Sequence, residues 1–577
     1  MSYSYRQNKI LVKEALTDFL NLFMKRRFLK FVSLLLLVVP FSLGGCKNKN
    51  ETSVTITVVH GTGSGTYAAG DEVTIIATVP TNKLFDYWSV DNKKVSEDCT
   101  YIFNANKTAT YTACFKDDPN PPDPNEVTCK ILVVSDVHVS ADDVTSKNHL
   151  KNTLNYASSS GVDAIIFDGD TPNLARDADY NALDSVFTEV YKTPKASGLP
   201  RLIFNMGNHE FYPTSNCAHE ETDYEREFSK FKGFAEKWGE AIKDNVFMRE
   251  IKGVRVVAAF PSADRTTNQG GKTVYLAANG AYSQNDINKV KAQFDDILNS
   301  GYEKSIIFCT HHPLGQTYGS TLYGMESTSE YAFKDMLKDY PMTVHLHGHT
   351  HFSSLHERSI SQNTFTSIQI GMHTYGKYVS DIDYDEDGDF LKYENITSKR
   401  INDYDAQAKG HHGETNFGML LSFTGLNMLA DRVYLQSGEK YSHTSWTVPH
   451  GITKENKNSK FLYKNGDRIG EQLTFSGGSE ISTTISSNKL MSLSFEDVEQ
   501  YWACEGYIIE VKNDSDEVIR KVLWASLFWV GLKQKQTYTI PLSQIGDPIV
   551  VGSGYSVTLR GINFFGHFSN ELTKTIA

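Results

Sequence analysis

Between residues 127 and 360 the chain repeats one pattern: a short apolar run, a polar cluster, then a stretch with helical spacing. Ile131–Val134 is the first run, four apolar residues that read as a buried strand, and it ends in Ser135-Asp136-Val137-His138. Ala164–Phe167 ends in Asp168-Gly169-Asp170, and Leu202–Phe204 is followed by Gly207-Asn208-His209-Glu210. Val254–Phe260 is strand-like. Ser305–Cys309 ends in Thr310-His311-His312-Pro313, and Thr343–Leu346 in His347-Gly348-His349-Thr350-His351. Between these runs, His149–Tyr156, Tyr180–Val190, Tyr224–Trp238, Ile287–Ile297 and Tyr331–Leu337 read as helices. The alternation predicts an α/β domain over 127–450. Asp136 and His138, two residues apart, are expected to point to one side of an extended strand end.

The flanks are patterned differently. Val54–Val59 and Glu72–Val79 alternate like strands around a Gly61–Gly65 break, which predicts a small N-terminal β module over 52–116. Residues 117–126 are a linker by composition. Beyond a polar stretch at 454–460, strand-like runs at Gln472–Phe475, Tyr507–Lys512, Val522–Val530, Tyr538–Leu542 and Tyr555–Arg560 predict a β-sandwich-like domain over 460–577. Trp502, Trp524 and Trp529 are expected in its core.

Composition sharpens this picture in two places. The chain has 577 residues, 40% of them hydrophobic, enough for several cores. Its net charge of −12 argues against a nucleic-acid surface, so no nucleic-acid partner is expected. At the N-terminus, Lys25-Arg26-Arg27 and Lys30 precede an apolar run, Phe31–Leu43, of signal-sequence size. It ends at Leu43-Gly44-Gly45-Cys46, which resembles a bacterial lipobox. That resemblance implies a signal region over 1–46, lipid on Cys46, a membrane tether and a place in the cell envelope; an uncleaved anchor is the alternative. Met24 is an alternative start. Export makes a disulfide between Cys99 and Cys114, both in the β module, compatible with the sequence.

Carboxylate, carboxamide and imidazole side chains at the C-terminal ends of successive strands are metal-ligand types in a ligand-binding position. Individually these residues also serve as turn or cap residues. As an ordered set they resemble the calcineurin-like metallophosphoesterase family, whose blocks are D-x-H, G-D, G-N-H-E/D, H-x-P and G-H-x-H. Here these are Asp136/His138, Gly169-Asp170, Gly207-Asn208-His209-Glu210, His311/Pro313 and Gly348-His349/His351. The resemblance covers about residues 127–360. It implies a four-layer αββα sandwich, with Phe417–Thr424 and Arg432–Gln436 completing its second sheet.

It also implies two divalent metal ions, drawn from Mn, Fe, Zn or Ni. One would take Asp136, His138, Asp170 and His351. The other would take Asp170, Asn208, His311 and His349. The implied reaction is hydrolysis of a phosphate mono- or diester by a metal-bridging hydroxide, with His209 protonating the leaving oxygen or stabilising the transition state. Asn173 stands where purple acid phosphatases carry a tyrosine ligand, which argues against a tyrosinate-bound ferric site. The H-x-P form favours His311 as ligand with His312 as the alternative, otherwise placed beside the ligands or facing substrate; His345 and His347 are expected beside the ligands, and Cys309 as reduced core. His411-His412 is expected in a surface loop. Tyr67, Gly70, Val73, Trp88 and Thr108–Phe115 resemble the internalin B-repeat family, a spacer module. Asp383–Glu394 fits the EF-hand loop template but lacks flanking helices, so an acidic hairpin without tight calcium is expected. The alternative function is a non-enzymatic surface binding lipoprotein with a relict site, which the complete ligand set disfavours.

Cys46→Ala should release the protein from the membrane fraction. Unchanged partitioning, or a mature chain that still carries residues 1–45, would refute lipid anchoring.

Overall fold

A computed structural model describes residues 53–80, 83–119, 123–213, 224–269, 272–317, 320, 324–371, 373–374, 416–440, 445–464, 472–485, 491–526, 535–541 and 554–576. The lipobox, Asp383–Glu394, His411-His412 and Trp529 lie outside the described residues. Among the described residues no helix is long and apolar enough to cross a membrane. The chain divides into two compact units, up to residue 121 and from 122 onward.

The first unit is all β. Strands β1 (Ser53–Val59), β2 (Gly61–Thr62), β3 (Gly65–Ala68), β4 (Glu72–Ala77), β5 (Lys83–Val90), β6 (Lys93–Ser96), β7 (Thr100–Asn104) and β8 (Ala109–Asp117) form two sheets, ordered β3-β1-β8-β5-β6 and β2-β4-β7. Alternation buries Val54, Ile56, Val73 and Ile75 around a fully buried Trp88. Cys99 and Cys114 are free thiols. The disulfide expectation therefore fails: Cys99 Sγ faces the Ala77 carbonyl, while Cys114 Sγ faces Ser89 Oγ.

In the second unit, β9 (Cys129–Val134), β10 (Ala164–Asp168) and β11 (Arg201–Asn205) pair in parallel. They alternate with helices α1 (Val144–Ser160), α2 (Asp177–Tyr191) and α3 (Tyr224–Trp238). Asp143 caps α1 through the amides of Thr145 and Ser146, and Gly161 ends it in the left-handed region at φ 62°. A second sheet runs β12-β13-β16-β17-β19-β18, from β12 (Val246–Ile251), β13 (Val254–Ala259), β16 (Ile306–Cys309), β17 (Thr343–His347), β18 (Ile360–Gln362) and β19 (Thr366–Gln369). The hairpin β14 (Thr266–Gln269) and β15 (Lys272–Tyr275) stands apart. Helices α4 (Gln284–Asn299) and α5 (Ser327–Leu337) belong to this half.

Side-chain alternation assigns the faces of the second sheet. Val256, Ala258, Ile307 and Cys309 join the large core shared with β9–β11 and α1–α3. Val257, Ala259, Ile306 and Phe308 pack with Ile287, Val290 and Phe294 of α4 and Phe333 of α5. The strands β20 (Phe417–Phe423) and β21 (Asn427–Tyr434) correct one expectation. They extend the first sheet, because β20 pairs antiparallel with β9 in register Met419↔Val133. β22 (Glu439–Lys440) and β23 (Trp446–Pro449) follow on β21.

The C-terminal region holds β24 (Ser482–Ile485), β25 (Met491–Glu496), β26 (Cys504–Lys512), β27 (Val518–Ala525), β28 (Thr537–Pro541), β29 (Tyr555–Asn563) and β30 (Leu572–Ile576). Its sheets, β24-β25-β28 and β27-β26-β29-β30, share one core that includes Phe495, Tyr507, Ile509, Trp524 and Tyr538. Gln472–Phe475 is buried at Leu473 and Phe475 but forms no strand. Its apolar alternation reports burial, and Phe475 N–H bonds to the Asn570 side chain in place of a neighbouring strand.

With no Cys99–Cys114 bond, a thiol-reactive maleimide should label the exposed Cys99 in the folded protein. Protection of Cys99 that is lifted only by reductant would contradict this arrangement.

Candidate metal centre

Five loops leave the C-terminal ends of β9, β10, β11, β16 and β17 and meet at one place. The first sheet supplies Asp136, His138, Asp170, Asn208 and His209; the second supplies His311, His349 and His351. Asp136, His138, Asp170, His349 and His351 have φ of 57°, 49°, 52°, 68° and 58°. Non-glycine residues avoid this left-handed region, at about 1–2 kcal/mol each. The extended-strand reading of Asp136 and His138 is thereby corrected: the chain turns at both residues, and the turns rather than pleat alternation bring the side chains inward.

Hydrogen bonds hold these turns. Asp136 N–H donates to the Gly169 carbonyl, and His138 N–H donates to the Asp170 carbonyl at 2.8 Å. Thr374 Oγ1 donates to the Val137 carbonyl between them. The preceding residue, His373, is buried and meets Thr153 Oγ1 at 2.7 Å and the Asn416 amide at 3.2 Å. Gly207 and Gly348 are needed for space. A Cβ on Gly207 would lie 2.2 Å from Asp170 Oδ1, and one on Gly348 would lie 1.9 Å from Ser135 Oγ.

The side chains converge in three overlapping groups: Asp136/His138/His351, His138/Asp170/His209 and Asp170/His311/His349. His138 Nε2 lies 3.3 Å from His351 Nε2. The same His351 nitrogen is 3.4 Å from Asp136 Oδ1. On the other side His311 Nε2 is 3.0 Å from Asp170 Oδ2. His311 Nδ1 donates to the Asp168 carbonyl at 2.8 Å, which turns Nε2 into the site. Asp136 is clamped by His349 N–H at 3.0 and 3.1 Å, and Asp170 Oδ1 accepts from His209 N–H at 2.8 Å. Asn208 Oδ1 is buried without a hydrogen-bond partner among the described residues, and Asp170 Oδ2 and His311 Nε2 are buried facing each other. Buried polar atoms are normally satisfied. Facing nitrogens, carboxylate oxygens and an unsatisfied carboxamide oxygen offer lone pairs that fit cations, so the residues present suit a pair of metal ions.

Charge coupling is strong. Burial alone would push the Asp170 carboxyl up, but the His311, His209 and His138 imidazoles outweigh it and hold the carboxyl well below its usual range. Burial works against a charged His311 as well, and the Asp170 carboxylate overrides it, raising the imidazole to about 10. His312 is different. It is buried against His349, with ring centroids 4.3 Å apart, and burial together with nearby His311 lowers it to about 3. His345 and His347 are also buried and shifted down, first by burial. His345 bonds to Thr310 and Ser367, and His347 to Thr317, so both serve the sheet beneath the site.

Three supporting residues are not visible in the spacing of ligand types. Glu210 is fully buried and accepts three backbone amides, from Asp170, Thr171 and Gly207, at 2.7–3.0 Å. It thus ties the β10 and β11 loops together; burial and the Asp170 charge raise it to about 7. The Asn205 amide donates to Asp168 Oδ1 at 2.9 Å and lies 3.3 Å from the Ala259 carbonyl, bridging the two sheets below the site. Asp168 is raised to about 7, chiefly by burial. The glutamate of the G-N-H-E block is the one sequence signal for this layer. His209 stands at the edge, its side chain 22% exposed. Its Nδ1 meets the Asn173 carbonyl, and its Nε2 lies 3.9 Å from Asp170 Oδ2.

Solved structures similar to the chain include a dimetal phosphatase from Danio rerio, at 11% identity and a TM-score of 0.37, over 56% of this chain and 100% of that one. GAP50 of Plasmodium, described as the anchor in the inner membrane complex, is 14% identical with a TM-score of 0.34, over 58% of this chain and 94% of that one. Purple acid phosphatase PPD1 from yellow lupin, Lupinus luteus, is 11% identical with a TM-score of 0.35, over 65% and 71%. No curated protein matches the chain. Residues 49–119 match the family model of the divergent InlB B-repeat domain. Residues 129–353, which hold every residue of the centre, match that of the calcineurin-like phosphoesterase.

Proposed function

We propose that this centre is a binuclear metallophosphoesterase site that hydrolyses a phosphate mono- or diester. The observation that carries the reading is the crowding of buried ligand-type atoms: Asn208 Oδ1, without a hydrogen-bond partner among the described residues, Asp170 Oδ2 facing His311 Nε2 at 3.0 Å, and the facing His138 and His351 nitrogens. Asp136, His138, Asp170 and His351 would hold one ion, and Asp170, Asn208, His311 and His349 the other. Mixed nitrogen and oxygen donors suit Mn, Fe, Zn or Ni. When bound, the ions would polarise phosphoryl oxygens and bring the pKa of water down to about 7.

The chain's own residues divide the remaining work. Asp170 is central to both donor sets. Glu210 and the Asn205–Asp168 pair hold the loops that present it. His209 donates its Nδ1 proton to the Asn173 carbonyl, so its Nε2 is the nitrogen directed to the site, where it would protonate the leaving oxygen. A four-layer αββα sandwich, with α1–α3 outside the first sheet and α4 and α5 outside the second, is our reading of the two packed cores. We place the protein outside the cytoplasm, tethered by lipid on Cys46, with residues 52–116 as spacer.

A panel of p-nitrophenyl phosphate, bis-p-nitrophenyl phosphate, nucleotides and sugar phosphates, each with Mn, Zn, Ni and Mg, tests the reading. Metal-dependent release of phosphate or nitrophenol is expected; inactivity with every pair would favour a binding protein.

Two substitutions separate metal holding from proton transfer. Asp170→Asn should lose metal and activity together. His209→Ala should keep its metal content, while turnover falls by roughly 10²–10⁴, the usual size of a general acid–base contribution. The fall should be smaller for esters of p-nitrophenol, a leaving group that hardly needs a proton. Loss of metal from His209→Ala would refute its assignment as the acid; equal slowing of good and poor leaving groups would mark it as a charge stabiliser.

A further inference from the structure

We propose that the C-terminal β region braces the metal centre by positioning the loop that carries His349 and His351, with Phe564 as the principal contact. The inference rests on the metal-centre reading above. Residues 352–356 follow His351 directly and are all buried. The catalytic sheets grip this segment on one side. Gln369 Nε2 donates to the Phe352 carbonyl at 2.7 Å. Arg432 pairs with Glu357 at 2.9 Å, and Trp446 Nε1 donates to the same carboxylate at 3.1 Å.

The C-terminal region grips it on the other. Phe564, which directly follows β29, meets the His356 ring with centroids 4.5 Å apart, and the two residues are 1% and 0% exposed. Leu355 and Phe417 form a small apolar cluster against which Tyr501 and Trp502 pack. Trp502 also packs on the C-terminal core, so it belongs to both. Glu505, at the start of β26, is fully buried with the Arg358 charge as its electrostatic neighbour; burial raises its carboxyl to about 8.

The contact matters because of what precedes it. His349 and His351 sit at φ 68° and 58°, conformations that the local chain does not favour. Such residues persist where the surroundings over-determine them. Besides the His349 N–H bonds to Asp136, restraint enters through the buried segment after His351, and part of it comes from the C-terminal region. Groups that orient metal ligands typically change metal affinity or activity 10–100-fold when removed.

The full chain with Phe564→Ala is the test, read by manganese titration, by kcat and KM on p-nitrophenyl phosphate at saturating manganese, and by thermal unfolding. Manganese affinity should weaken by about 10–100-fold, and kcat should fall with KM unchanged. Phe564→Leu, which keeps an apolar side chain there, should recover most of the affinity. Trp502→Leu trims the second contact and should weaken manganese binding at least threefold, which keeps the test open if Phe564→Ala does not fold. Val557→Ala, in the C-terminal core but away from the contact, should lower the unfolding temperature with manganese affinity unchanged. Wild-type affinity in both Phe564→Ala and Trp502→Leu would overturn the brace. So would an equal loss in Val557→Ala, which would mean general destabilisation. A wild-type chain that binds no manganese, zinc or nickel would instead overturn the metal centre itself.

Discussion

The Asp170 carboxylate is the constraint on which the catalytic unit is built. It is buried, touches the His311, His138 and His209 imidazoles, and sits in a left-handed turn. A buried carboxylate among imidazoles is stable only if each neighbour is fixed. That fixing uses both sheets. β10 delivers Asp170, β16 delivers His311, and the Asp168 carbonyl between them accepts from His311 Nδ1. Glu210 gathers the amides of the β10 and β11 loops, so the turn at Asp170 is stabilised by a second buried carboxylate that never faces the site.

Much of this was legible in the chain because two separate signals coincide. The apolar runs that become β9, β10, β11 and β16 are continuous, as expected of strands covered on both faces, while β17 alternates Val344 and Leu346 with buried histidines. Each stops at a ligand-type residue. Sheet membership was not legible for β20. Its alternation says strand, but only the register Met419↔Val133 says which sheet. Nor could the spacing of Asp136 and His138 reveal that both residues adopt positive φ. Local sequence favours extended or helical backbone there, and tertiary hydrogen bonds from their N–H groups to the Gly169 and Asp170 carbonyls decide otherwise. The supporting pair Asn205 and Asp168 sits two and one residues, respectively, from ligand blocks, yet its role depends on a carbonyl from the other sheet, at Ala259.

Seven of the histidines in this unit illustrate how burial sorts one residue type. His345 and His347 face the helix-covered side of β17 and are kept neutral by desolvation, with hydroxyl partners at 2.8 and 2.9 Å. His138, His311, His349 and His351 face the carboxylates. His312 is one residue from His311 but lies behind His349, where its Nε2 meets no hydrogen-bond partner among the described residues. Adjacent histidines thus end in opposite electrostatic surroundings, which sequence spacing alone does not distinguish.

Exposure varies across the centre, with His209 and the proposed ligand His349 half-buried and the other proposed ligands buried. The carboxylates Asp136 and Asp170 and the imidazoles of His138 and His311 have side chains no more than 1% exposed, whereas that of His209 is 22% exposed. A group that only holds a cation gains from exclusion of water, which strengthens its electrostatic interactions. A group that exchanges a proton with a departing oxygen must meet both the substrate and the solvent that restores its proton. In the proposed role, His209 would meet both needs through one arrangement. Its backbone N–H is committed to Asp170 Oδ1, and its Nδ1 to the Asn173 carbonyl. The main chain and one ring nitrogen are therefore fixed, and the other ring nitrogen remains for chemistry at the open edge of the centre.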